Sequence, residues 1–235
     1  MKSLFSNSTI TSLLVATATV ISSAAFSPAN AASLSFTINE FTGSDARVKF
    51  TLDDQAVGAG NIKFTVDYVP TGNSTIADLR GVFFNIADDS LLSGLQVTGG
   101  NITASQFGPA GTINQVGSNS NNLSGGSNLK FDIGLEIGRQ GISQGDDFQS
   151  TTFTLSHASQ ALSLALFSEQ NFGARLMSVG SGNSRNGSSK LAGQAPYYTP
   201  PPPPPVKVPE PGMTLTFAFL AVGAGTLLKK SKQFA

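Results

Sequence analysis

His157 is the only histidine in the chain, and there is no cysteine or tryptophan. A Ser-His-Asp relay would need His157 as its base, but no nucleophile-elbow pattern surrounds any of the many serines. A structural or exposed role for this histidine outweighs a catalytic one. Zinc needs more nitrogen or sulfur ligands than one imidazole supplies. The remaining chemistry-bearing groups are carboxylates. They form three adjacent pairs, Asp53-Asp54, Asp88-Asp89 and Asp146-Asp147, all at expected turns, where aspartates serve mostly as caps and turn formers. Calcium takes six to eight oxygens, so Asp146 and Asp147 are the first candidates for a calcium site, because Gly141 and Gly145 leave that backbone free to bend. The spacing matches no EF-hand loop. Glu136, Glu169 and Glu40 lie on or near expected strands, and two such carboxylates at the right separation could hydrolyse a glycoside. Without tryptophan, and with Tyr68 the only tyrosine outside the linker, a flat sugar-stacking platform is hard to build. That counts against a glycosidase and an ordinary carbohydrate module, though not against recognition through Asn, Asp and backbone groups.

The elements that would position these groups read as strands. Period-two alternation puts Leu34, Phe36 and Ile38 on one face, then Val48, Phe50 and Leu52, then Ile62, Phe64, Val66 and Tyr68, then Phe131, Ile133, Leu135 and Ile137. Residues 151–155, 162–167 and 172–179 are further strand candidates, and the near-continuous apolar run 82–86 predicts a central strand. Residues 95–98 and 102–107 flank Gly99-Gly100 and predict a hairpin. No segment has a long helical period; residues 156–161 predict at most one short turn. Residues 108–128 and 181–189 are rich in Gly, Ser and Asn, and their composition favours mobility. The expected fold is all-β, an antiparallel two-sheet sandwich or jelly roll over residues 32–195.

Both flanks read as targeting segments. Lys2 supplies a positive start, residues 10–21 an apolar stretch, and Ala29-Asn30-Ala31 small residues for a signal peptidase, so residues 1–31 predict a signal peptide cut after Ala31. At the other end, residues 196–207 form a proline-rich linker whose six prolines, 200–205, favour a stiff polyproline II spacer. Residues 208–235 follow: Pro209-Glu210-Pro211, an uncharged stretch 213–228, then Lys229, Lys230 and Lys232 as a transmembrane stop. Sixteen helical residues reach about 24 Å, short for a hydrocarbon core of about 30 Å. Gly223 and Gly225 weaken the helix further, which suits a temporary stop better than a permanent anchor.

The tripeptide, short apolar helix and basic end, placed in that order behind an N-terminal export signal, resemble the PEP-CTERM sorting signal. The resemblance covers roughly the last 28 residues. It implies processing by a membrane protease of the exosortase type, and a bacterial surface or matrix protein from an organism with an outer membrane. The stretch from Phe131 to Gly193 is also similar to domains of cyanobacterial-type exosortase-dependent surface proteins, through Phe131-Asp132-Ile133-Gly134, the run 150–157, Arg175 before Ser178-Val179-Gly180, and Ser188-Ser189-Lys190-Leu191. That likeness implies no chemistry.

Between residues 32 and 206 there are 13 acidic and 9 basic residues, a net of −4, which disfavours nucleic acid as a partner. Arg175, Arg185 and Lys190 cluster late in the domain, where solubility suffices to explain them. The leading expectation is therefore an exported, non-enzymatic cell-surface or extracellular-matrix protein. Its partners would be signal peptidase and exosortase during sorting and the membrane through its tail, with passage through the inner membrane before the cell surface. The alternatives are an exopolysaccharide-binding β-sandwich module, calcium-assisted, and a secreted hydrolase. No other cofactor is expected.

Overall fold

The computed structural model describes residues 32–125, 129–139 and 147–202. The signal-peptide residues Ala29 and Ala31, the sorting motif Pro209, Glu210 and Pro211, the stop lysines Lys229, Lys230 and Lys232, and Asp146 lie outside the described residues. Among the described residues no helix is long and apolar enough to cross a membrane.

Ten strands follow one another: β1 (Ser33–Gly43), β2 (Arg47–Asp53), β3 (Ile62–Val69), β4 (Ile76–Phe84), β5 (Leu95–Thr98), β6 (Ile102–Phe107), β7 (Ile133–Ile137), β8 (Ser150–His157), β9 (Asn171–Ser181) and β10 (Ser184–Gln194). All pairings are antiparallel, and the strands form one continuous sheet in the order β5-β8-β3-β2-β1-β10-β9-β4-β7-β6. The all-β class is as expected, but the two-sheet sandwich or jelly roll gives way to a single sheet nearly closed into a barrel. Two features require the curl. Phe64 on β3 and Phe84 on β4 lie five strands apart in the sheet, yet their rings stack with centroids 4.9 Å apart. The two edge strands, β5 and β6, are joined by Gly99-Gly100-Asn101 alone, so one end of each edge meets the other. Residues 95–98 and 102–107 thus do not form the expected hairpin. They turn through the Ile102 N–H to Gly99 O bond of 3.3 Å and then pair outward, β5 with β8 and β6 with β7. A curled sheet buries one face of every strand, just as a sandwich does, so alternation alone cannot separate the two.

The inner face carries the predicted apolar sets, except that Phe131, expected beside Ile133, Leu135 and Ile137, packs on the outer face. Val48, Phe50, Leu52, Ile62, Phe64, Val66, Leu135 and Leu155 are completely buried in one core. Phe36, Phe50, Phe84 and Phe172 meet edge-on or stacked at 4.8–5.8 Å, each such pair adding about 0.5–1.5 kcal/mol beyond the area it buries. Residues 162–167, expected as a strand, instead form a 3-10 turn over Leu164–Phe167. The buried residues of this turn, Leu164 and Phe167, recur at the three-residue period of such a helix. It caps one end of the core, where Phe167 packs edge-on against Phe64.

Expected mobility is overturned in two places. Residues 184–189 belong to β10, an interior strand. Residues 108–125 fold over the outer face of β4, β7 and β9, where Ile113, Val116 and Leu123 join Phe83 and Phe131 in a second buried cluster. The sheet is built to receive them. Phe83 is flanked in register by Gly134 on β7 and Gly173 on β9. A Cβ on Gly173 would lie 2.5 Å from Leu123 Cδ1 and 2.8 Å from Phe131 Cζ. This covering explains why residues 77–84 are buried on both faces.

The chain's two flanks leave the domain at one end of it. β1 and β10 are antiparallel neighbours, with Asn39 opposite Ala192, so β1 begins where β10 finishes. Ser33 lies opposite Asp53. Beyond β10, Tyr198 packs against the core, its N–H donating to Ser168 Oγ at 2.9 Å. Burial first, and then the charge of Asp54, raise its phenol pKa.

Candidate functional site

His157 ends β8 and acts as a turn cap. Its Nδ1 accepts the N–H groups of Ser159 at 3.1 Å and Gln160 at 3.0 Å. Its ring fills the space above Gly94, where a Cβ would lie 2.1 Å from Nε2. Two of the aspartate pairs also shape local backbone. Asp53 Oδ1 accepts from Gln55 and Ala56 N–H at 2.8 and 2.9 Å. Asp88 caps the 3-10 turn Asp89–Gly94 through the Ser90 hydroxyl and N–H, and these two bonds, the hydroxyl first, lower its pKa. Asp89 reaches the covering segment, accepting Ala110 N–H at 2.8 Å. Asp147, a calcium candidate, is bound to Arg185 at 2.6 Å. Among the described residues no group of three or more metal-ligating side chains converges.

Glu136 points away from the core, as alternation requires, but it sits beneath the covering segment. Its carboxylate accepts Ser118 N–H and hydroxyl, the Thr103 hydroxyl at 3.3 Å, and Arg80 Nη2 at 3.3 Å. Gly117 has φ +63°, and any Cβ there would lie 2.1 Å from Glu136 Oε2, so this close approach requires glycine. Arg80 is only 1% exposed; it also donates to Ile137 O and lies 3.9 Å from Asp78. It falls where the β4–β9 register shifts between Leu79 and Gly81. The bulge turns a long cation into the interface between sheet and covering segment. Asp132 is a second lock: Oδ1 accepts Gly111 N–H at 2.7 Å and Oδ2 accepts Ile86 N–H at 3.1 Å. Its pKa is raised, chiefly by burial, with the charge of Asp89 adding to the effect against the two hydrogen bonds. Of the other two glutamates, Glu40 accepts Ala46 N–H at 3.3 Å, and Glu169 sits in a left-handed turn at φ +56°.

The late cationic cluster divides. Arg185 is taken by Asp147, whereas Arg175 and Lys190 face each other directly across β9 and β10. Together with Thr42, Gly43, Ser124, Gly125 and Ser188 they line a cleft of about 420 Å³ at the edge of the covering segment. Arg175 Nε donates to Ser120 O and Nη1 to Ser189 O, each at 3.2 Å. Lys190 Nζ donates to Asn122 Oδ1 at 3.0 Å and to Ser124 O. Every one of these acceptors is neutral. Burial lowers the pKa of both cations, and the charge of Arg175 lowers that of Lys190 further. Two smaller hollows flank the same segment, one lined by Gln106 and residues 112–117, the other by Asp89, Leu92 and Phe107.

No family model, curated protein or solved structure matches the chain. The structure brings together Arg175 and Lys190 from the sequence-derived cluster and gives Glu40, Asp53, Asp88, Asp89, Glu136 and Asp147 structural partners. Sequence reading missed Arg80 and Asp132 as organising charges. Their only signals were an arginine and an aspartate beside apolar runs.

Proposed function

We propose that the chain is an exported, non-enzymatic cell-surface or extracellular-matrix protein that presents a β domain on a proline-rich stalk and is sorted through its tail by an exosortase. The observation that carries the reading is the order of parts: an export signal ending at Ala31, a folded domain, the prolines, Pro209-Glu210-Pro211, an apolar stretch and the terminal lysines. On this reading signal peptidase acts first, the tail holds the chain at the inner membrane for a time, and the processed domain reaches the surface. The non-enzymatic part is supported by the engagement of the two best catalytic candidates: His157 Nδ1 holds a turn, and Glu136 is held by Arg80, Ser118 and Thr103.

Intact mass and terminal-peptide mapping of the protein from cells and from medium test this. A C-terminus between Pro209 and Gly212 is the expected result. A tail retained through Lys232 in every fraction would make it a plain anchor and overturn the sorting step.

A further inference from the structure

We propose that the cleft between β9, β10 and residues 124–125 binds an oxyanion carried on a hydroxyl-rich ligand, the carboxylate or sulfate of an acidic sugar. Like charges placed directly across two strands destabilise a sheet, yet Arg175 and Lys190 are so placed. Neither takes part in an ion pair among the described residues. Their protein partners are carbonyls and an amide oxygen, which orient the two heads without neutralising them. Arg175 Nη2 and part of the Lys190 ammonium keep donors to spare. An anion between them would remove the repulsion and gain charge-assisted hydrogen bonds from both heads. Arg175 is held from two sides and is 9% exposed, so the guanidinium is pre-set.

The rest of the lining selects the kind of anion. Thr42, Ser124 and Ser188 offer hydroxyls, while Gly43 and Gly125 leave the backbone bare, which suits a ligand rich in hydroxyl groups. Among the described residues no aromatic side chain lines the cleft, so recognition would run through charge and hydrogen bonds instead of ring stacking. The volume falls within the range of about 300–1,000 Å³ usual for small-ligand sites, room for a sugar ring and its charged group. The cleft does not depend on how the tail is processed, since every described lining residue lies in the folded domain.

Equilibrium dialysis of the detergent-solubilised full chain against labelled glucuronate tests the proposal, with glucose as the uncharged sugar and inorganic sulfate as competitor. Glucuronate should bind, weakening as salt rises, glucose should not, and sulfate should displace glucuronate only at about ten-fold higher concentration. Lys190→Met should weaken glucuronate binding by about ten-fold or more while the chain stays folded at the assay temperature, as an unchanged circular-dichroism spectrum would show. Arg175 holds two backbone carbonyls and is buried, whereas Lys190 holds one and is less buried, so Lys190→Met is the milder and decisive variant. Absence of glucuronate binding, or equal binding by Lys190→Met, would overturn the site. Sulfate competing as well as glucuronate would overturn the sugar as the source of the oxyanion.

Discussion

Glu136 grips Ser118 twice: Oε1 accepts the backbone N–H at 3.2 Å and the hydroxyl at 2.9 Å. The same oxygen faces Arg80. One carboxylate therefore both fastens the covering segment to the barrel and balances a buried cation.

Removing that carboxylate should loosen the segment and strand Arg80 together. Glu136→Ala should lower stability by about 3–5 kcal/mol and Glu136→Gln by about 2 kcal/mol, since Gln keeps an acceptor but not the charge. Urea unfolding measures both. A midpoint unmoved in Glu136→Ala would show that Asp78 alone suffices for Arg80.

The glycine furrow makes a size prediction with an internal control. Gly173→Ala drives a methyl group into Leu123 and Phe131 and should cost about 1–3 kcal/mol. Gly100→Ala, where nothing lies within 4 Å, should be close to neutral. Limited proteolysis should then cut residues 108–125 faster in Gly173→Ala than in the native chain. Equal rates would mean that the segment does not depend on the furrow.

Asp132 sets a pH dependence of defined sign. Its folded pKa is raised above the ordinary 3.8, so between the two values the folded state binds more proton than the unfolded chain. Its contribution to stability is fully present below the unfolded value and falls away as pH rises through the folded one. Native stability relative to Asp132→Asn should therefore increase as pH falls from 7 towards 4. Urea midpoints across that range give the difference, and a constant difference would place the carboxyl in contact with water.

Calcium should leave the melting temperature unchanged. Asp147 is already bonded to Arg185 at 2.6 Å, and a cation there would have to displace the guanidinium. A rise on adding calcium, reversed by chelator, would return Asp146 and Asp147 to the role of ligands.

Tyr68 donates to Ser74 O at 2.5 Å in a buried setting. Tyr68→Phe leaves that carbonyl without its partner and should cost about 1–2 kcal/mol in the same unfolding experiment. No change would mean that water takes the hydroxyl's place.

The inner face of the barrel was legible because alternating apolar residues have one physical explanation. β1, β2, β3 and β7 were readable this way, and β8 and β9 stood as further strand candidates. β10 was not: in Ser184–Gln194 the only large apolar residue is Leu191. Its small residues are there because neighbours crowd it, with Gly193 lying where a Cβ would be 2.6 Å from Ile38 Cγ2. Smallness imposed by close approach looks the same in a sequence as smallness in a loop. Residues 108–125 were misread for a related reason. Their few apolar side chains, Ile113, Val116 and Leu123, obey no period because they follow a glycine furrow in another part of the chain. The cationic cleft was half visible: Arg175 and Lys190 stood out as a cluster, but only strand register separates them from Arg185.

The antiparallel placement of β1 beside β10 gives the domain a near pole and a far pole. Both flanks depart from the near pole, so a chain moored by either flank, or by both at once, stands the same way up. Thr42 and Gly43 lie nine and ten residues along β1 from Ser33, or about 30 Å at the rise of an extended strand. A domain planted on its stalk would hold the Arg175–Lys190 cleft clear of the surface that carries it, part-way up β9 and β10, with the Ser181–Ser184 turn reaching further out still.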